Sequence, residues 1–372
     1  MDCSSASKST GGNVQVCMSF ANIAAEDESI DVKIIANHDL IPLLTHKALT
    51  KVVARCFRPA QSVISYLRWI ITVYNQIKIH RPDVLFVPYG PIYWNFYIPT
   101  LQGFAEPWEP KSNPLYLKKC SNNEKLRAYL RKKIQIIFYR KSDLLWCETQ
   151  NAIEYFCKVS GYPISKTKVI PNSVPQIFDA INIKDSDYFH NTERRFKFLY
   201  VAAPYKHKNH DLILDIVGKL GDKYEFHLTL PENHIYKNYF FNIFKSKKTQ
   251  TKIVNHGYVK VNELPKLYES CDAIFMPSIA EVFSASYLEA MLCKRPVLAS
   301  DLPFAKEVLA DAALYFNPES TDSVIQKIKE ISCNKDIYDN LVIKGQIRLM
   351  EYLTPMEKYS ETINYLKSLI NK

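Results

Sequence analysis

Residues 277–301, PSIAEVFSASYLEAMLCKRPVLASD, decide how the rest of the chain is read. Two carboxylates, Glu281 and Glu289, stand eight residues apart, with the small residues Ser284, Ala285 and Ser286 between them. The apolar side chains Tyr287, Leu288, Ala290, Met291 and Leu292 surround the second acid. An apolar run over 273–276, ended by Pro277, predicts a strand before the loop, and 296–299 predicts another after the helix. Strand, loop, helix and strand in that order describe one unit of a parallel α/β sheet.

The chemistry of such a corner is specific. Ser284 is placed as the helix N-cap, which leaves the amides of Ala285 and Ser286 among the unpaired donors of the first turn, aimed where an anion can sit. Glu281 falls in the loop at the carboxyl end of the sheet, where open α/β sheets hold ligands. Glu289 lies more than one turn into the helix, beyond its positive end, and suits the hydroxyls of a polyol such as ribose. A loop acid near a sugar, amides near phosphate and a helix acid near ribose together describe a nucleotide-sugar pocket.

The stretch resembles the glutamate, seven residues, glutamate signature of retaining family 4 glycosyltransferases (glycosyltransferase group 1) with the GT-B fold. It follows that pattern at Pro277, Ser278, Glu281, Phe283, Leu288, Glu289, Ala290, Met291, Pro296, Val297, Ala299 and Ser300. It departs at Val282, Ser284 and Lys294, where the family commonly has glycine. The resemblance implies an α/β chain of two Rossmann-like doubly wound domains facing across a cleft. An acceptor-binding domain is expected over 1–190, a nucleotide-sugar domain over 191–354, and a helix over 355–372 crossing back to the first. It further implies transfer of a hexose, with retention, from a nucleotide diphosphate sugar to a saccharide acceptor, with no metal and no cofactor.

The same resemblance assigns roles upstream. A strand over 196–202 runs into APYKHKNHDLILDIVGKL, where the family places basic side chains for the diphosphate. Lys208 and Asn209 match; the family's arginine falls near Ala203, and Lys206 is its candidate substitute, a point charge without the fork of arginine. Lys208 and Lys206, with the amides of Ala285 and Ser286, would hold the leaving diphosphate. Glu289 would hold ribose, Glu281 the hexose hydroxyls, and Phe283 and Ser284 would line the donor site. Gly257, Tyr258 and Val259 fall where the family wraps backbone around the base, with His256 packing or capping rather than catalysing.

In the first half, Gly11, Gly12 and Asn13 stand where the family has a glycine-rich turn close to phosphate and acceptor, after a first strand that is short or missing from this start. The loop TLQGFAEPW, 100–108, carries Gln102 where many members have a histidine, followed by Gly103. Glutamine can donate or accept a hydrogen bond but cannot take a proton at neutral pH. Phe104 and Trp108 could floor an acceptor sugar or pack in the core. Asp185-Ser186-Asp187 matches the metal-binding pattern of the other large glycosyltransferase fold, but it lies in an acidic linker, 179–195, where that spacing arises by chance.

Composition bounds the rest. A length of 372 residues fits about two domains, and 47% hydrophobic residues suffice for two cores. A net charge of +10 favours an anionic partner. The basic residues crowd the segment from Lys118 to Lys141, interleaved with Leu126, Tyr129, Leu130, Ile134 and Ile137, a pattern that suits an anionic membrane surface; a solvated helix face is the competing reading. No nucleic-acid module accompanies the charge. Nine scattered cysteines point to a reducing cytoplasm, and no run is long and apolar enough to span a bilayer. The expectation is a cytoplasmic enzyme at the inner face of the membrane, with a lipid-linked acceptor, serving bacterial surface polysaccharide synthesis. An epimerase or hydrolase of the same fold, or a catalytically silent sugar-nucleotide binder, remain open. Further strands are expected over 32–36, 83–87, 143–148, 225–230 and 313–316, with helical material over 45–79 broken at Pro59.

Overall fold

A computed structural model describes residues 1–6, 12–56, 63–93, 97–174, 184–191 and 193–371. Gly11, expected in the glycine-rich turn, lies outside the described residues. The chain divides into two compact units: residues 1–108, 122–173 and 353–372 form the first, and residues 109–121 and 174–352 the second.

In the first unit, β1 (Asp2–Cys3), α1 (Gly12–Glu26), β2 (Ile34–Asn37), α2 (His46–Thr50), β3 (Val52–Cys56), α3 (Val63–His80), β4 (Leu85–Val87) and β5 (Thr100–Gly103) follow in order. The strands β1, β2 and β3 form one parallel sheet; β4 and β5 join β6 (Leu144–Cys147) and β7 (Thr167–Val169) in another. Between β5 and β6 run α4 (Trp108–Lys111), α5 (Pro114–Lys118) and α6 (Asn122–Tyr139), and α7 (Gln150–Ser160) joins β6 to β7. Every pairing is parallel, and parallel strands are buried on both faces, hence the apolar runs LFV and LLWC.

Two sequence expectations change here. The 45–79 segment is not continuous helix: VVARC is a strand, because its β-branched start pairs with β2. Thr100–Gly103 is also a strand rather than a loop, held between β4 and β6. Gly103 is required there, since a Cβ would sit 1.7 Å from the Pro88 carbonyl oxygen. Phe104 and Trp108 are buried against Tyr139 and Phe156, so neither floors a sugar.

The second unit has one six-stranded parallel sheet in the order β10-β9-β8-β11-β12-β13. Its elements are β8 (Phe196–Tyr200), α8 (Asp211–Val217), β9 (Tyr224–Leu228), α9 (Ile235–Ser246), β10 (Lys252–Asn255), α10 (Leu264–Glu269) and β11 (Ala273–Met276). They continue through α11 (Ala285–Leu292), β12 (Val297–Ser300), α12 (Pro303–Leu309), β13 (Ala313–Phe316), α13 (Thr321–Cys333) and α14 (Lys335–Leu349). Phe198, Phe226 and Phe275 of three adjacent strands pack ring against ring and are fully buried; each such side chain contributes about 1.5–3 kcal/mol of transfer free energy. The chain leaves β8 in one direction to β9 and β10, and then returns to the other side for β11, so the order reverses between β8 and β11.

α15 (Pro355–Ile370) closes the chain and packs in the first unit's core, with the Tyr359 and Phe20 rings 5.0 Å apart. Thr354 caps it through a reciprocal box with Glu357. Residues 109–121, which the sequence reading leaves inside the first domain, belong to the second unit: Lys119 pairs with Asp211 at 3.3 Å and Lys118 with Glu319 at 3.1 Å.

Candidate active site

Strand order reverses between β8 and β11, and the carboxyl edge of an open α/β sheet at such a reversal is where ligands bind. The loop after β8 carries Lys206, His207, Lys208 and Asn209; the loop after β11 carries Glu281. The two loops are stitched together. The Ile279 amide donates to the His207 carbonyl at 2.8 Å. The Tyr200 hydroxyl donates to the Lys208 carbonyl at 2.6 Å and lies 3.1 Å from Ser278 Oγ. Asn209 takes the left-handed conformation, φ 55°, a region asparagine tolerates better than most residues, and so turns the chain from the basic loop into α8.

The stitching brings Lys208 Nζ to 2.5 Å from Glu281 Oε1, with both side chains largely buried. The ammonium and the carboxylate oxygen are in direct ionic contact, each the other's counter-charge. A carboxylate oxygen so placed is ready to accept from a hydroxyl, and an ammonium beside it is ready to face a second anion. His207 stacks on Tyr205 at 5.5 Å, and burial pushes its imidazole down to about 4. Burial likewise pushes His210, packed on Tyr200, down to about 3. Both rings are neutral near pH 7, so the positive charge of this loop comes from its lysines.

Glu289 is half-buried on α11 and accepts a hydrogen bond from the Tyr268 hydroxyl at 2.7 Å. Burial raises its carboxyl above the usual range, and the Tyr268 bond opposes that shift. Ser284 stands at the N-cap position of α11, but its side chain makes no capping bond, so the sequence expectation holds for the position and fails for the bond. Phe283 is half-buried against Tyr352, and Ser286 is buried. Gly257 adopts φ 69°, Tyr258 is exposed and Val259 half-buried. His256 is exposed, and its Nε2 meets His227 Nδ1 at 2.8 Å.

In the first unit, Gly12 opens α1 with open space around it, and Asn13 follows half-buried. Gln102 is fully buried, and its side-chain carbonyl accepts from the Ile92 amide at 2.8 Å, which props the loop after β4. The acidic linker motif is engaged in ion pairs: Asp185 with Lys294 at 3.1 Å, and Asp187 with Arg194 at 2.5 Å. Among the described residues, no group of three or more His, Cys, Asp or Glu side chains is placed to hold a metal ion. Sequence reasoning missed Tyr200, Tyr268, the half-buried His207 and the buried His210. Ser278 sits inside the matched signature, whereas Tyr200 reads only as the end of a strand.

Residues 183–348 match the family model described as Glycosyl transferases group 1. That match lies within the second unit. Lys208, Glu281 and Glu289 all fall within it. The O-antigen chain mannosyltransferase RfbU of Salmonella typhimurium is 30% identical over 202 residues, 53% of this chain and 56% of that protein. The chain thus spans little more than half the length of that relative. Among solved structures, the sucrose-phosphate synthase of Thermosynechococcus elongatus has a TM-score of 0.76 at 13% identity, covering 97% of this chain and 94% of that one. The Anabaena protein HepE, solved in complex with UDP and glucose, has a TM-score of 0.70 at 14% identity, covering 97% of each chain. Likeness over nearly the whole chain shows that the chain has the GT-B fold of these proteins.

Proposed function

We propose that this protein transfers a hexose, with retention, from a nucleotide diphosphate sugar to a saccharide acceptor in the synthesis of a bacterial surface polysaccharide. The observation that carries this reading is the Lys208–Glu281 pair at the switch point of the second sheet. Lys208 is the counter-charge for the departing diphosphate, helped by Lys206 and the amides of Ala285 and Ser286. Donors fixed in place before the reaction stabilise developing charge without reorganisation. Glu281, freed from Lys208 as phosphate takes over that ammonium, accepts from hexose hydroxyls. Glu289, oriented by Tyr268, accepts from ribose, and the Gly257–Val259 turn follows the base. UDP and glucose held by a protein of the same fold, and a mannosyltransferase among the relatives, support this assignment. The reaction runs without a metal, and the acceptor is lipid-linked at the cytoplasmic face of the membrane.

The test is a thermal-shift screen across UDP-, GDP-, ADP- and dTDP-sugars, since a ligand of the folded state raises the melting temperature by mass action. One donor class is expected to stabilise the protein, and that donor is then supplied with lipid-linked saccharides. Stabilisation by no sugar nucleotide overturns the reading. Stabilisation without transfer leaves a silent binder, and donor breakdown without an acceptor leaves a hydrolase.

A further inference from the structure

Three titratable side chains run in a line from the interior of the second unit to its surface. Glu225 and His227 stand two residues apart on β9, so both project from one face of the strand, opposite the fully buried Phe226 and Leu228. His256 follows the end of the edge strand β10, and its amide donates to the Leu228 carbonyl at 2.8 Å, which keeps it beside β9. The first two are buried and the third is exposed. His227 Nε2 lies 2.9 Å from Glu225 Oε1, and His227 Nδ1 lies 2.8 Å from His256 Nε2. The ring planes differ by 20° and the ring centres are 5.0 Å apart, wider than the nitrogen gap by about two ring radii, so the imidazoles meet edge to edge. Lys252 Nζ, 3.5 Å from Glu225 Oε2, balances the buried acid.

This line fixes where each proton sits. Burial lowers both imidazoles, so each ring is neutral near pH 7 and carries one proton. A carboxylate has no proton to give, so the nitrogen that faces Glu225 holds the proton of His227. His227 Nδ1 is then a bare lone pair, and the nitrogen that meets it, His256 Nε2, holds the proton of His256. The lone pair of His256 is left on Nδ1. Among the described residues, no hydrogen bond reaches that atom. A histidine at a surface ordinarily exchanges between tautomers, whereas the glutamate behind this one makes it an acceptor.

His256 opens the Gly257–Val259 turn. Gly257 takes φ 69°, a Cβ there would lie 3.5 Å from Glu232, and Tyr258 is 72% exposed. Among the described residues, no backbone carbonyl accepts from the amides of 257, 258 or 259. We propose that His256 reads the base of the bound nucleotide: its Nδ1 accepts a hydrogen bond from an N–H on the edge of the base, and Glu225 and His227 are positioning residues that hold it in the accepting tautomer. The free amides of the turn match the carbonyl or ring nitrogen that neighbours such an N–H. The assignment rests on the reading above that this turn follows the base; the tautomer does not.

The experiment is calorimetric titration of the full chain with UDP, dTDP, GDP and ADP, each beside 3-methyl-UDP, 3-methyl-dTDP, 1-methyl-GDP and dimethylated ADP, which lack the edge N–H. For the nucleotide that binds, methylation is expected to weaken the wild type about fivefold or more, as loss of a bond to a well-placed acceptor does. His256→Phe keeps a ring without the acceptor; it is expected to lose a similar factor with the unmethylated nucleotide, and methylation is expected to cost it nothing further. His227→Leu is expected to weaken binding and to let the His256 tautomers exchange. His227→Gln, whose amide offers an N–H to Glu225 and an oxygen to His256, is expected to rescue most of both. A methylation penalty that persists in His256→Phe overturns the proposal. Nitrogen-15 spectra of the ligand-free wild type are expected to show Nε2–H in both rings, and Nδ1–H on His256 overturns the proposal whether or not the variants fold. Nucleotide binding with no methylation penalty overturns this recognition alone, whereas a wild type that binds no nucleotide overturns the transferase reading with it.

Discussion

The Lys208 ammonium lies 2.5 Å from Oε1 of Glu281, a residue 73 positions further along, across two loops that leave neighbouring strands. In the absence of donor, each charge is the other's partner. Lys208→Ala and Glu281→Ala should each lower turnover about a hundredfold or more, as removal of a group aimed at developing charge does. Lys206→Ala, on an exposed position of the same loop, should have a milder effect. Turnover numbers at saturating donor check the order. Wild-type turnover in Lys208→Ala sinks the assignment.

Breaking the pair also affects stability. Either single variant leaves a largely buried charge without its counter-ion, which costs several kcal/mol, whereas the double variant leaves none. Lys208→Ala with Glu281→Ala should therefore melt closer to the wild type than the sum of the single losses. Denaturant unfolding of all four proteins gives the coupling energy.

Tyr200→Phe deletes one hydroxyl that serves both loops. A loss of about 1–3 kcal/mol in stability is expected from the carbonyl and hydroxyl left unpaired. Turnover should fall with it, since the hydroxyl positions Lys208 through its backbone. Full stability with unchanged turnover would show that Ser278 and the Ile279–His207 bond hold the loops alone.

The acid side of the stability curve should report His207 and His210. Burial lowers both imidazoles, to about 4 and about 3, below the unfolded value of 6.5. Between those values the unfolded chain binds protons that the native protein does not, so stability falls as pH drops from about 6.5 toward 4. His210→Phe, which keeps a ring against Tyr200, should flatten that fall. Melting temperature against pH for the two proteins is the measurement, and parallel curves would exclude His210 as a contributor.

Glu289 gives a ligand-linked counterpart. Burial raises its carboxyl, and the Tyr268 hydroxyl holds it down. If Glu289 accepts from ribose hydroxyls as proposed, its ionised form is the better acceptor, and donor affinity should fall as pH drops and the carboxyl takes up a proton. In Tyr268→Phe the opposing bond is gone, and the fall should begin at higher pH. Donor dissociation constants across pH 5–8 check the direction.

The sequence by itself determined the strand-loop-helix-strand corner at 273–300, because apolar runs, a Pro stop and the spacing of two acids are local properties. It likewise determined α15, whose Thr354 to Glu357 box and apolar stripe are written in consecutive residues. Short strands were less legible. Val52–Cys56, Thr100–Gly103 and Lys252–Asn255 are four or five residues each, too few for a period to emerge, and their pairing partners lie far along the chain. Only tertiary structure decided that Tyr200 serves both loops, that Tyr268 orients Glu289, that Gln102 is occupied by Ile92, and that the apolar stripes of α3 and α6 face outward. Each of these depends on which surfaces meet when the sheets close, and burial of a given side is a property of the assembled packing rather than of the residues taken in order.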